Sequence, residues 1–115
     1  MSTDELAAQL VSDPRWAWHE GMRDRSGGRV VDLDLWVGTG LLPDLDDLAT
    51  AGVILGVLVS GGWLTDVARE DGEWIVAVEV PGLGLRGWAA DTLGRAAAFA
   101  MLSVWDGMDA AVGQA

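Results

Sequence analysis

Apolar and polar positions change period several times along the chain, and each change predicts an element. Leu6, Ala7, Leu10 and Val11 recur at helical spacing behind Ser2-Thr3-Asp4-Glu5, the spacing of a capping box, so a short amphipathic helix is expected to start the chain. Asp13-Pro14 ends it, because proline disfavours a helical conformation at the residue before it. From Trp16 to Arg23 the residues alternate, with Trp16 and Trp18 on one face, and Arg29 to Val37 reads as a returning strand after the turn Ser26-Gly27-Gly28. A first hairpin is expected there.

Leu48 to Val59 is apolar except for Thr50 and two glycines, which predicts a helix buried on several sides. Asp44 is placed to cap it, Asp46 and Asp47 put negative charge at the positive end of its dipole, and Ser60-Gly61-Gly62 ends it. Residues 63–68 and 73–80 form a second predicted hairpin around Arg69-Glu70-Asp71-Gly72. Pro81 to Gly87 reads as a glycine-rich connection, and a last helix is expected from about Asp91 to about Trp105. The fold class is therefore α+β in the order α-ββ-α-ββ-α, a mostly antiparallel sheet packed by the central and C-terminal helices. Residues 1–107 form the expected single domain and 108–115 a flexible C-terminal tail.

Composition narrows the function classes. Half of the 115 residues are apolar, which argues against intrinsic disorder, and the absence of cysteine removes disulfides and thiolate chemistry. The N-terminus lacks the basic region and apolar run of a secretory signal, and the longest apolar segment is shorter than the roughly 20 residues of a membrane span. A cytoplasmic protein with no membrane association is the expectation. The net charge is −11, and residues 30–80 carry ten carboxylates against Arg69 alone. Such a field repels nucleic-acid phosphates, so no direct nucleic-acid binding is expected, and it attracts basic partners.

Candidate chemistry is sparse. Gly82-Leu83-Gly84-Leu85-Arg86-Gly87 spells G-x-G-x-x-G, but too little chain follows for the parallel sheet that holds a dinucleotide, so no cofactor is expected. His19, the single histidine, is the one candidate for a histidine general base, and adjacent Glu20 points to the opposite face of a strand. Asp32, Asp34, Asp44, Asp46 and Asp47 supply oxygen ligands for a hard cation, yet their spacing is not that of an EF-hand, and helix capping with a solvated face accounts for them; no metal is expected. Seven tryptophans are many for a small domain; most are expected in the core, which needs bulky residues, and one or two exposed ones would mark a protein interface or, less favoured, a sugar-stacking platform.

Two segments, residues 13–23 (DPRWAWHEGMR) and 42–57 (LPDLDDLATAGVILGV), resemble the most distinctive stretches of a group of small phage and prophage proteins, and residues 89–102 are similar to that group's alanine-rich C-terminal helix. Leu48 stands where the group often has proline, and His19-Glu20 where it often has Met-Pro. The resemblance implies a mobile-element setting and a shared fold, with no catalytic residues to carry over. Three readings follow. The leading one is a non-enzymatic accessory protein that binds another protein, or a second copy as a homodimer, through a face containing Asp32, Asp34, Asp44, Asp46, Asp47, Glu70, Asp71 and Glu73. The second presents those carboxylates as a DNA-like face to a nuclease or polymerase, as an anti-defence or host-takeover inhibitor. The third is a small enzyme or ligand-binding domain around His19, which requires a concave pocket at that residue.

Overall fold

The structure, a computed structural model, describes residues 2–113. It is an α+β fold in which an antiparallel sheet is packed by helices. Helix α1 (Thr3–Ser12) and helix α2 (Leu48–Ser60) precede strands β1 (Leu64–Glu70), β2 (Glu73–Val80) and β3 (Gly84–Ala90), and helix α3 (Leu93–Gly113) follows them. The three strands form one sheet in the order β1-β2-β3, antiparallel throughout.

Alternation along β2 decides which face is covered. Val76, Val78 and Val80 are fully buried, and their register partners Val67 and Trp88 share that face. Helix α3 lies across it, with Phe99 stacked on Trp88 at 5.9 Å between ring centroids. The alanines Ala96, Ala97, Ala98 and Ala100 let α3 approach its neighbours closely, and α1 and α2 pack on its remaining sides through Leu6, Leu10, Ile54 and Leu58. One continuous core results.

Local signals set several boundaries. The Ser2 hydroxyl accepts a hydrogen bond from the Glu5 amide at 3.1 Å, so the first half of the expected capping box is formed. Replacing Ser2 by alanine is expected to lower stability by about 1 kcal/mol, readable as a lower urea midpoint at unchanged slope. Asp71 (φ 52°) and Gly72 (φ 81°) both take the left-handed conformation that a two-residue hairpin turn demands.

Five expectations are corrected. The first hairpin does not form as strands: residues 15–37 hold only isolated bridges, Arg23 to Arg29 and Asp24 to Pro43. Asp24 is the reason. It is buried, its carboxylate accepts from the Ser26 hydroxyl and amide, its backbone carbonyl accepts from the Gly27 amide at 3.0 Å, and its own amide donates to the Gly28 carbonyl at 2.8 Å, which winds the chain into a tight turn. Nearby backbone bonds then go elsewhere, from the Arg25 amide to Leu42 and from the Asp44 amide to Arg23.

Helix α2 is capped by Asp47, whose carboxylate accepts from the Thr50 amide at 3.0 Å, and not by Asp44, which lies in the preceding turn and accepts from the Asp46 amide. That helix is also not buried all round, since Leu48 is 74% and Val59 60% exposed. The glycine-rich stretch after Pro81 is a tight turn followed by β3, whose residues pair one by one with β2 from Trp74 to Val80. The order is therefore α-α-βββ-α. Finally, α3 runs to Gly113, so residues 108–113 of the expected tail are helical and only 114–115 lie outside the described residues. Arg15 ties that end down, bonding the Trp105 carbonyl at 3.1 Å and Asp109 at 2.8 Å.

Candidate functional site: an apolar groove and an acidic ridge

Residues 15–37, freed from sheet pairing, form a layer whose packing rests on tryptophan. The rings of Trp16 and Trp18 meet edge to face at 5.5 Å, and Trp18 meets Trp36 at 5.3 Å. Gly38 stands against this cluster: a side chain there would collide with the Trp18 indole and come within 3.0 Å of Trp36 Nε1. Trp36 turns inward, while residues 31–35 and Val37 are all exposed. Val31 and Leu35 are each 80% exposed and Val37 76% exposed. A short 3-10 turn, Leu33–Leu35, is held by the Asp32 carboxylate accepting from the Asp34 amide at 3.0 Å. The outcome is a ridge of aliphatic side chains interleaved with two exposed carboxylates.

Beside that ridge lies an open groove of about 700 Å³. Leu33 forms one side, and Val53, Gly56, Val57 and Ser60 of α2 form another, with His19 and Glu20 completing it. Its lining is mainly aliphatic. Gly52 and Gly56 leave the outer face of α2 without side chains, and nothing lies within 4 Å of where a Cβ would stand at either. This face escaped the sequence reading because an apolar segment was equated with a buried one. The signal was present in Ala49, Gly52, Gly56 and Ser60, small residues at helical spacing on one side.

The eight acidic candidates separate into three groups. Asp32 and Asp34 sit on the ridge, exposed, and no arginine pairs with either among the described residues. Asp44, Asp46 and Asp47 lie in the turn before α2 and each meets an arginine: Arg23 at 3.6 Å, Arg95 at 3.0 Å and Arg29 at 2.9 Å. Glu70, Asp71 and Glu73 surround the β1–β2 turn, on strands at the far side of α2 in sequence. Glu73 shares a cavity with Arg95, so the hairpin tip is brought to the side of the molecule where Asp46 grips that arginine.

Electrostatics follow this division. Arg29 holds the Asp47 carboxyl at about 2, with the Thr50 amide and hydroxyl adding to the effect. Arg95 and Thr92 hold Asp46 below the usual carboxylate range, and the Ser26 hydroxyl leads the bonds that do the same to buried Asp24. These shifts belong to structural anchors. The arginines responsible lie 18 and 49 residues from their partners, which is why charge counting along the chain missed them.

His19 does line the groove, in the concave setting a ligand site needs, with Glu20 and Ser60 beside it. Among the described residues its ring makes no hydrogen bond, and no three His, Asp or Glu side chains converge as metal ligands. Among the described residues no helix is long and apolar enough to cross a membrane. Comparison of the chain with protein-family models, with curated proteins and with solved structures gives no match.

Proposed function

We propose that the protein acts without catalysis, by binding another protein across the groove of α2 and the adjoining ridge. One observation carries this reading: Val31, Leu35, Val37, Leu48 and Val59 are each at least 60% exposed on the ridge and on α2. Leu33 joins the ridge to Val53 and Val57 of α2 in one groove, and contiguous exposed apolar surface on a small domain marks an interaction site. The partner is basic as well as apolar, because Asp32, Asp34 and Glu20 accompany the aliphatic groups without arginine partners. A homodimer through the same face would bring like charges together and is the less favoured occupant.

The DNA-like face is less well supported. Its central members, Asp44, Asp46 and Asp47, are matched by Arg23, Arg95 and Arg29 of the same chain, so they offer little free field to a nuclease. The resemblance to phage and prophage proteins directs the search for the partner toward mobile-element proteins and the host proteins they meet.

Affinity capture from a bacterial lysate tests the reading. The double substitution Leu35→Asp and Val37→Asp alters exposed positions, so the thermal midpoint should stay within roughly 3 °C of the parent. The captured partner should be lost. Its retention at equal strength would remove the ridge from the functional account, whereas Asp32→Asn with Asp34→Asn should weaken capture chiefly by slowing association, with a shallower salt dependence.

A further inference from the structure

A second groove runs along the β3 edge of the sheet, on surface that the proposed function does not use. Among the described residues strand β3 pairs only with β2, so its outer edge presents backbone groups with no partner strand. Two cavities follow this edge. One, of about 240 Å³, lies between Ser2, Thr3 and Leu6 of α1 and Ala89 and Ala90 of β3. The other, of about 410 Å³, lies between Gln9 of α1 and Leu83 and Trp88 of the strand and its turn. Phe99 lines both, and Leu102 continues its surface, so α3 provides a common apolar floor. Edge strand, floor and opposing helix together make one trough.

Its dimensions and charge define an occupant. Seven residues of β3 span about 23 Å at the usual rise per residue, the length of one added strand. Trp88 is stacked on Phe99 yet 36% exposed, and Leu83 is 55% exposed, so alternate side chains of an added strand would find an apolar surface. The ends are acidic. Glu73 and Asp91 stand at one end and Asp106 at the other, none paired with an arginine among the described residues. Arg95 reaches the first end but is held by Asp46, and the Arg86 guanidinium turns back to the Leu85 carbonyl outside the lining.

We infer that this trough binds an extended peptide that adds a fourth strand to β3, inserts alternate aliphatic side chains against Trp88, Phe99 and Leu102, and carries lysine or arginine at its ends. Main-chain pairing supplies affinity in such a mode and the side-chain pockets supply selectivity. A second copy of this chain is a poorer occupant, because each copy carries a net charge of −11.

The probe is a fluorescein-labelled nine-residue peptide of alternating valine and threonine with lysine at both ends. Fluorescence anisotropy should show saturable binding, and hydrogen exchange should show new protection of β3 amides alone among the strands. The pair Glu73→Lys and Asp106→Lys changes exposed residues only, and should weaken binding by about tenfold or more with an unchanged thermal melt. A peptide with proline at its centre should lose most of its binding, since it cannot complete the ladder. Absence of binding up to about 1 mM, or equal binding by the proline peptide, overturns the inference. So does a dimer at working concentration whose interface protects β3, since a second copy would then fill the trough. The ridge variant Leu35→Asp with Val37→Asp should bind the peptide normally, which separates failure of this trough from failure of the α2 face.

Discussion

Replacing Gly94 by alanine should destabilise the protein by about 3 kcal/mol, with a fall in thermal midpoint of roughly 10 °C or more. Gly94 lies in the first turn of α3, where that helix crosses the chain leading to α2. A Cβ there would overlap the Leu45 carbonyl oxygen and stand 2.7 Å from its carbon. Backbone cannot rotate aside as a side chain can. Nor can the Leu45 segment retreat, because the Leu45 side chain is fully buried and both flanking residues are anchored. On one side the Asp44 amide donates to the Arg23 carbonyl at 2.7 Å, and on the other Asp46 is held by Arg95 and Thr92.

Gly52→Ala supplies the opposing control. It lies in α2 with nothing within 4 Å of the new methyl group, so relief of glycine's conformational freedom should raise stability by roughly 0.5–1 kcal/mol. Opposite signs from the same substitution in two helices would establish that close approach, and not helix propensity, fixes glycine at position 94. A melting temperature for Gly94→Ala within two or three degrees of the parent would refute the close packing of α3 on the Leu45 backbone.

What was legible in the sequence was what neighbouring residues decide among themselves. Ser2 caps α1 through an amide three residues away, Gly61 and Gly62 follow α2, and Asp71-Gly72 turns the β1–β2 hairpin. The same logic failed at residues 15–37, where alternation suggested strands. Tertiary bonds of Arg23 to Thr50 and of Arg25 to Leu42 compete there with the local ladder, and no period in the sequence displays them. At residues 82–90 the glycines Gly82 and Gly84, both with positive φ, suggest a loop, yet Gly84 opens a strand whose residues 85–89 are all exposed, so no alternation marks it in the sequence.

The candidate site was legible in part. Asp32 and Asp34 stand out in sequence as acidic residues, and both are exposed on the ridge. The aliphatic residues between them were read as half a sheet, because alternation tells two faces apart without saying which one is covered. Residues 31–35 are exposed whatever their parity, because the 3-10 turn Leu33–Leu35 breaks the alternation and only Trp36 turns in, onto Trp18, 18 positions away. The Asp44-Asp46-Asp47 turn shows the reverse case: its charge is visible in sequence, while its neutralisation depends on Arg23, Arg29 and Arg95.

That neutralisation has a pH signature centred on Asp47. Its carboxyl titrates at about 2 in the folded chain, against 3.8 without the fold, primarily through Arg29 and secondarily through Thr50. A lowered carboxyl contributes stability that is fully present above the unfolded value and is lost as pH falls through the folded value. The contribution is on the order of 2 kcal/mol near neutral pH, and it should fade from about pH 4.5 down to about pH 2. Asp46 and Asp24, also lowered, act in the same direction, so acid destabilisation of the parent should be steep.

Two variants divide the contribution of Asp47. Asp47→Asn keeps an oxygen able to accept from the Thr50 amide but removes the charge facing Arg29, and should cost about 2 kcal/mol at pH 6. Asp47→Ala removes cap and ion pair together and should cost about 2–3 kcal/mol. Thermal melts between pH 6 and pH 2 should show both variants approaching the parent as acid is added, with asparagine meeting it first because only a protonatable partner is missing. If the gap between parent and Asp47→Asn stayed constant across that range, the Arg29 pair would contribute nothing to stability, and the turn would rest on its helix cap alone.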